Sequence, residues 1–139
     1  MSGGGAGASA GGGGLPEPQE LLGQAERVVE KAVAAGADDA EVYWSASESL
    51  DLEIAAGRLS ATSTGRDAGA GLRVLVGGRL GFAYFTRQQD AGAAIDAALS
   101  RARLAPKLDY ALPDGGRVEP LPGRFDADVA ALDVDRAVR

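Results

Sequence analysis

The sequence contains neither cysteine nor histidine among its 139 residues. The lack of cysteine excludes disulfides, thiolate nucleophiles and cysteine-ligated zinc, and the lack of histidine removes the commonest metal ligand and general base. A serine nucleophile would have only Lys31 or Lys107 as its base, and the predicted elements place neither beside the serines and threonines of residues 45–64. We therefore expect no catalytic, cofactor-binding or metal-binding residue in this chain.

Basic residues are outnumbered by acidic ones, 14 to 20, and no block of lysine or arginine occurs. A formal net charge of -6 argues against a nucleic-acid interface, which needs a concentrated basic surface. No apolar run approaches the roughly 20 residues that a membrane span requires, and the first residues lack the basic start and hydrophobic segment of a secretion signal. The sequence predicts a cytoplasmic protein that binds neither nucleic acid nor membrane.

Acidic residues are the remaining candidates for chemistry. Asp51 and Glu53 lie on one face of a predicted strand, where paired carboxylates could divide acid and base roles. They occupy the polar phase of an alternating pattern, so a solvated strand face is the preferred interpretation. Asp38, Asp39 and Glu41 could offer oxygen ligands to a hard cation, but their spacing lacks the pattern of a dedicated calcium loop. We expect Asp38 and Asp39 to be turn residues and predict no metal site.

Alternation of apolar and polar residues predicts a β-meander between residues 51 and 86. Within residues 50–54 the even positions are aliphatic and the odd positions acidic, which is typical of a strand with one solvated face. A two-residue loop at Ala56 and Gly57 would form the first hairpin. In that register the aliphatic residues of both strands share one face, with Ile54 opposite Leu59, Leu52 opposite Ala61 and Leu50 opposite Ser63.

Gly77 and Gly78 lie at the turn of a second hairpin, for which two registers are open. A two-residue loop leaves Phe82 unburied opposite Arg73; its pairs are Val74 with Gly81 and Leu72 with Ala83. A three-residue loop that adds Arg79 is the register we favour, because Phe82 then joins the aliphatic face and a bulged turn suits a left-handed glycine. Its pairs are Val76 with Leu80, Val74 with Phe82 and Leu72 with Tyr84.

Two features of this meander stay open. The glycine-rich residues 65–71 between the hairpins could be a tight crossover, a wide loop or a bulge. Leu75 points away from the aliphatic face, so it could be a lone exposed side chain or could be covered by another part of a larger protein or by a partner. The second interpretation predicts that the isolated chain self-associates or is only marginally folded.

Apolar residues at spacings of three and four predict a helix on each side of the meander. The first covers residues 18–35 and has Gly36 at its C-terminal cap. The second covers residues 88–104, with Thr86 or Asp90 available as its N-cap.

A further strand at residues 40–46 precedes the meander, because apolar and polar residues alternate there as well. It includes Trp44, which we interpret as a half-buried aromatic rather than a ligand-stacking residue. The sequence thus predicts an α+β fold in which an antiparallel meander sheet is flanked by an N-terminal and a C-terminal helix.

Composition divides the chain into three parts. Residues 1–17 are a tail rich in glycine and alanine, expected to be disordered because it cannot bury enough apolar surface to offset the entropy of ordering. A phosphate-binding glycine loop is disfavoured there, since no strand precedes it and no Lys-Ser/Thr pair follows. Residues 18–105 form the α+β domain. Residues 106–139 are expected to be a linker rich in proline and the truncated start of a second domain.

Short motifs follow one another in a definite order along the chain. They are AGADDAEV (35–42), SLDLEI (49–54) with GRL (57–59), GAGLRVLVGGRLGFA (69–83), ALSRA (98–102) and PGRFD (122–126). This order resembles the N-terminal domain of the TldD/PmbA family, also called modulators of DNA gyrase. The resemblance covers about residues 21–139, and the order of the motifs carries it, because each motif alone is short.

The resemblance implies a chain with two parts. A TldD-type subunit implies a zinc-dependent peptidase whose HExxxH-like motif lies in the C-terminal half, so zinc is expected outside this chain and no catalytic residue carries over to it. The other subunit type lacks the metal site and pairs with the TldD type. Together they form an assembly that admits unfolded peptides to an enclosed cavity. Both subunit types, and a homodimer or a heterodimer, stay open.

Two functions follow from these observations. The preferred one is the non-catalytic N-terminal portion of a TldD/PmbA-like zinc metallopeptidase subunit, whose full assembly hydrolyses unfolded peptides. The alternative is a stand-alone module for peptide binding or dimerisation, without protease activity.

Overall fold

The computed structural model describes residues 15–116 and 118–138. Its elements are α1 (Pro18–Ala34), β1 (Asp39–Ala55), β2 (Arg58–Val76), β3 (Arg79–Phe85), a short 3₁₀ turn (Gln88–Asp90), α2 (Ala91–Leu104), α3 (Ala127–Ala130) and α4 (Val134–Ala137). The strands form an antiparallel sheet in the order β1-β2-β3. The predicted α+β fold, a meander with a helix before and after it, is confirmed. Of the tail predicted to be disordered, residues 1–14 lie outside the described residues.

The helix α1 has the predicted bounds within one residue. Val28 and Ala32 are fully buried against the sheet, as the apolar spacing requires. Gly36 follows the helix with a φ of 108°, a left-handed conformation that side chains disfavour. The N–H groups of Gly36 and Ala37 donate to the carbonyls of Val33 and Ala32, both at 3.0 Å, and this paired arrangement ends the helix as predicted.

The helix α2 begins at Ala91 after the 3₁₀ turn. Asp90 precedes it, but the Asp90 carboxylate accepts a hydrogen bond from Arg87 Nε at 2.9 Å instead of capping the helix backbone. Asp90, one of the two predicted candidates, therefore occupies the N-cap position of α2 without a capping hydrogen bond from its side chain, and Thr86, the other candidate, lies before the 3₁₀ turn. The small residues Ala94, Ala98 and Ala102 are buried on one face of the helix, so α2 lies close to the sheet.

The strands β1 and β2 are 17 and 19 residues long. The glycine-rich residues 65–71, for which a crossover, a loop or a bulge was open, lie inside β2 and are paired with β1 throughout. The meander consequently has two long strands and the seven-residue β3 in the described chain, and the strand predicted at residues 40–46 is the first half of β1. Gly69 and Gly71 are tolerated in this strand because aromatic side chains of β3 occupy the space above them, as detailed below.

The first hairpin turns at Ala56 and Gly57, whose φ angles of 51° and 72° suit a tight two-residue turn. This confirms the predicted loop, and Ile54 faces Leu59 as expected. A bulge at Ser60 then shifts the pairing by one residue, and the Ser60 hydroxyl donates to the Glu53 carbonyl at 3.2 Å. The predicted partners Ala61 and Ser63 are wrong: Leu52 faces Thr62 and Leu50 faces Thr64.

The second hairpin has the two-residue loop, so the favoured three-residue register is wrong. Gly77 and Gly78 have φ angles of 58° and 71°, and Val76 pairs with Arg79. The observed pairs also include Val74 with Gly81, Arg73 with Phe82, and Leu72 with Ala83. This register puts Gly81 under α2, where only a residue without a side chain fits, and it leaves Phe82 on the opposite face of the sheet.

The helices cover one face of the sheet, which we call the inner face. α1 packs mainly on β1, and α2 packs on β2 and β3. The core between them contains Val28, Ala32, Ala40, Ala70, Leu72, Val74, Ala83, Phe85, Ala91, Ala94, Ile95, Ala98, Leu99 and Ala102. Trp44 packs at the border of this core, edge-on to Phe85 with ring centroids 5.4 Å apart. The interpretation of Trp44 as a half-buried aromatic is confirmed.

Residues 105–112, which we call the strap, leave α2 and lie against the second hairpin. Lys107 pairs with Arg79 in an isolated β-bridge, and Leu112 is buried. Leu75, for which exposure was one expectation, is also buried, with only 7% of its surface accessible. The prediction of a lone exposed Leu75 is therefore wrong.

The remaining described residues carry short helical turns. α3 and α4 each begin at an aspartate, Asp126 and Asp133, whose carboxylate accepts hydrogen bonds from N–H groups of the following turn. The domain boundary predicted after residue 105, and the linker and second domain expected over residues 106–139, stay predictions. Among the described helices, none has the length and apolar character that a membrane crossing needs.

Candidate interaction surface of the sheet

The outer face of the sheet, opposite the helices, carries an aromatic patch. Tyr43, Phe82 and Tyr84 expose 74%, 50% and 57% of their surfaces there. They come from β1 and β3, and strand alternation places all three on the face that α1 and α2 do not cover. Three of the seven aromatic residues in the chain thus stand on the outer face of the sheet. Exposed tyrosine and phenylalanine side chains of this kind are typical of protein contact surfaces.

Two glycines of the central strand make room for these rings. Gly71 lies between Tyr43 and Tyr84 in the pairing of the three strands. A Cβ atom at Gly71 would come 3.2 Å from the Phe82 ring, and one at Gly69 would come 2.5 Å from Tyr84 Cζ. The aromatic side chains of β3 therefore lie across β2, where a side chain would otherwise stand, and they shield its backbone.

This arrangement predicts that Gly69→Ala displaces the phenol of Tyr84. We expect a loss of about 1 kcal/mol of unfolding free energy, because the side chain can turn away without moving the backbone. Chemical denaturation measures this loss. In a Tyr84→Ala background the same glycine substitution has no ring to displace, so its cost should fall to near zero. An equal cost in both backgrounds would show that Tyr84 does not lie over Gly69.

A charged cluster borders the aromatic patch at its hairpin end. Arg73 Nε donates to Glu41 Oε1 at 2.6 Å, Nη2 donates to the same oxygen, and Nη1 donates to the Tyr110 hydroxyl at 3.2 Å. The hydrogen bond to Glu41 raises the pKa of Arg73 above its ordinary value, and partial desolvation opposes it. Arg73 thus stays charged, pairs β1 with β2, and connects the sheet to the strap through Tyr110.

The two-stranded ribbon beyond the helices contains the other carboxylates considered for catalysis. Asp51 and Glu53 lie on its outer face, exposed to solvent, opposite Ser63 and Ala61. The structure thus places them as a solvated strand face. On the inner face of the ribbon, Arg66 Nη2 lies 3.3 Å from Glu48 Oε1, and half of each side chain is exposed. A pair so exposed contributes little to stability.

The acidic residues considered for a metal have structural partners instead. Asp38 Oδ2 accepts from the Gly77 N–H at 2.6 Å and so joins the start of β1 to the second turn. Asp39 accepts from the Ala40 N–H, and Glu41 binds Arg73. Within residues 15–116 and 118–138, no three His, Cys, Asp or Glu side chains come together as metal ligands.

The two lysines lie apart from the serine-rich ribbon. Lys31 is in the last turn of α1, and Lys107 is in the strap beside the second hairpin. No described contact joins either to a serine or threonine of residues 45–64. The Arg73–Glu41 pair was not predicted from the sequence. Extending the pairing of β1 and β2 as far as Leu75 sets Glu41 opposite Arg73, and their opposite charges could then have indicated the pair.

Two shallow grooves lie on the inner side of the sheet. One, of about 710 Å³, runs between the start of α1 and β1, and its lining includes Leu21, Val42 and Trp44. The other, of about 640 Å³, lies between the ribbon and the C-terminal turns, and its lining includes Leu50, Leu52 and Leu132. Both are mainly apolar.

Comparison with known proteins supports the assignment suggested by the sequence. Residues 40–105 match the family model described as PmbA/TldA metallopeptidase domain 1. TldE from Thermococcus kodakarensis has a similar structure, with a TM-score of 0.61 and 23% identity over 72% of this chain and 24% of that chain. A protein from Bacteroides thetaiotaomicron designated a modulator of DNA gyrase gives a TM-score of 0.71 and 21% identity, over 84% of this chain and 28% of that chain.

Both sequence identities are low, so these two comparisons show a shared fold. The chain spans about a quarter of the length of each of these solved structures, 24% and 28%. No curated protein matches it.

Proposed function

We propose that this chain is the non-catalytic N-terminal portion of a zinc metallopeptidase subunit, from the match of residues 40–105 to the family model described as PmbA/TldA metallopeptidase domain 1. The observation that carries the proposal is the family match together with the shared fold. The described residues offer no zinc donor set. In this proposal, the zinc and the hydrolytic residues belong to a C-terminal half outside the chain, and they act on unfolded peptides.

The outer face supports a role as a contact surface. The aromatic patch of Tyr43, Phe82 and Tyr84 is exposed beside the Arg73–Glu41 pair, an arrangement that combines apolar area with fixed polar groups. In the proposed assembly this face packs on the C-terminal half of the subunit or on a partner subunit of the same family. The assembly is a homodimer or a heterodimer in the cytoplasm. Neither nucleic acid nor membrane takes part.

A second candidate is a stand-alone module for peptide binding or dimerisation. It is favoured by the position of β1, which lies at the edge of the sheet with one side unpaired over its 17 residues in the described chain. An extended peptide can add to such an edge by backbone hydrogen bonds. This module would require no downstream catalytic half.

The two candidates differ in what the gene encodes and in where peptidase activity resides. If the reading frame continues into an HExxxH-bearing segment, we expect the longer protein to hydrolyse an unfolded, fluorescein-labelled casein, whereas the 139-residue chain does not. Mutation of the first His of that motif in the longer protein is the control for zinc dependence. An unrelated downstream gene would favour the module. Turnover by the purified chain that survives a second purification would contradict the proposal.

A further inference from the structure

The strap is attached to the sheet near the second hairpin by few contacts. Lys107 forms its β-bridge with Arg79, and the Leu108 N–H donates to the Gly78 carbonyl at 2.8 Å. The Arg79 guanidinium donates to the carbonyl of Ala105 at the end of α2. The continuous ladder between β2 and β3, by contrast, pairs every residue of β3. The backbone of the strap is thus held much less firmly than the strands beneath it.

The far half of the strap lies over the outer face. The Tyr110 hydroxyl accepts from Arg73 Nη1 at 3.2 Å, and Leu112 is 7% exposed. Leu75 is two residues from Arg73 in β2, so its side chain is on the same face, and it is also 7% exposed. Neither leucine belongs to the core between the sheet and the helices. Both leucines are therefore buried outside that core.

We propose that the strap is a detachable cover of the hairpin end of the outer face. Its anchors are Tyr110 on Arg73, the buried Leu112, and the single bridge at Lys107. A segment with few anchors outside the main core opens locally while the rest of the domain stays folded. The outer face then has two states, one covered and one open.

Opening has a defined consequence for the surface. It uncovers Leu75 and releases Arg73 from Tyr110, beside the aromatic patch of Phe82 and Tyr84. The exposed apolar area grows in the direction of the second turn. The same opening frees the chain after Ala105 from the sheet, so the strap determines the path on which later residues leave the domain.

The two lysines allow this opening to be measured at a single bond. Endoproteinase Lys-C cleaves after lysine, and the chain has only Lys31 and Lys107. Lys107 lies in the strap and Lys31 in the last turn of α1. A protease needs locally unfolded backbone, so cleavage at Lys107 reports strap opening while cleavage at Lys31 reports opening of the helix or of the whole domain.

We expect Leu112→Ala to accelerate cleavage at Lys107 about 10-fold or more, because a buried leucine anchor is lost, and to leave cleavage at Lys31 unchanged. Leu104→Ala is the matched control, since Leu104 is 88% exposed at the end of α2. Tyr110→Phe removes only the hydroxyl that bonds to Arg73, and it should accelerate cleavage at Lys107 about 3-fold. Tyr43→Phe, on an exposed tyrosine of the same face, should have no effect.

Two results would overturn the proposal. If Leu112→Ala and Tyr110→Phe accelerate both sites equally, the strap opens only with the whole domain. If Lys107 of the unaltered chain is cut as fast as an unfolded peptide and neither substitution changes that rate, the strap is not docked. Neither result bears on peptidase activity, so the test is independent of the proposed function.

Discussion

Replacing Gly81 with alanine is expected to destabilise the domain by about 3 kcal/mol, a large fraction of the stability of a small domain. A Cβ atom at this position would lie 2.7 Å from the Ala102 backbone nitrogen and closer still to the Ala98 carbonyl oxygen. Both contacts are to the backbone of α2, which cannot turn aside as a side chain does. The helix would have to retreat, and the fully buried Ala98 and Ala102 would lose their packing against the sheet.

Gly92→Ala is the matched control for this prediction. Gly92 lies in α2 itself, and nothing stands within 4 Å of the place where its Cβ would be. Alanine there should stabilise the helix by about 0.5–1 kcal/mol, because glycine loses more backbone entropy on folding. Urea denaturation of the two variants beside the unaltered chain gives both values. A Gly81→Ala variant as stable as the unaltered chain would show that α2 does not approach β3 closely.

Leu72→Ala is expected to cost about 3 kcal/mol, within the range of buried leucine truncations. Leu72 is in the central strand, and none of its surface is accessible. It is the largest of the fully buried side chains in the described chain. Since the rest of the core is rich in alanine, few large neighbours can move to fill the space, and the loss should not be recovered by repacking.

The exposed Leu104 provides the comparison for Leu72 as well, because the same change there removes little buried surface. Leu104→Ala should change the free energy of unfolding by less than about 0.5 kcal/mol. Because both variants replace leucine with alanine, the difference between their changes in unfolding free energy measures the effect of burial. Thermal unfolding followed by circular dichroism gives the two midpoints. Equal midpoints would mean that β2 does not present Leu72 to the helices.

Local patterns predicted much of this fold. The bounds of α1 follow from its apolar spacing, and Gly36 marks its end because the left-handed conformation favours glycine. The turn at Ala56 and Gly57 follows from the alternation on either side of it. These features depend on residues close together in the sequence, which is why the sequence alone is sufficient for them.

The register of the second hairpin depends on a contact that is distant in sequence. Burying Phe82 favoured a three-residue loop when the hairpin was considered alone. The close approach of α2 to Gly81 instead requires the two-residue loop, and Phe82 then lies over Gly71 on the outer face. The glycine-rich residues 65–71 indicated a loop for the same reason, because the rings that shield Gly69 and Gly71 come from another strand.

The candidate surface was predicted only in part. The alternating pattern indicated that Asp51 and Glu53 are solvated, and the structure places them on an exposed ribbon. The alternating pattern did not indicate the aromatic patch, because Phe82 and Tyr84 reach the outer face only in the observed register of the second hairpin. The burial of Leu75 was left open, and its cover by the strap was not predicted, because the proline- and glycine-rich residues after 105 resemble a linker in sequence and their docking is a tertiary contact.

In the proposed function this chain supplies a scaffold and no part of a metal centre, and the zinc content of the purified chain tests that role most directly. The purified 139-residue chain should be incubated with excess zinc, dialysed, and measured by elemental analysis and native mass spectrometry. We expect no stoichiometric zinc, because histidine and cysteine are absent and Asp38, Asp39 and Glu41 already have structural partners. One zinc ion retained per chain, together with peptide hydrolysis that a chelator abolishes, would contradict the account.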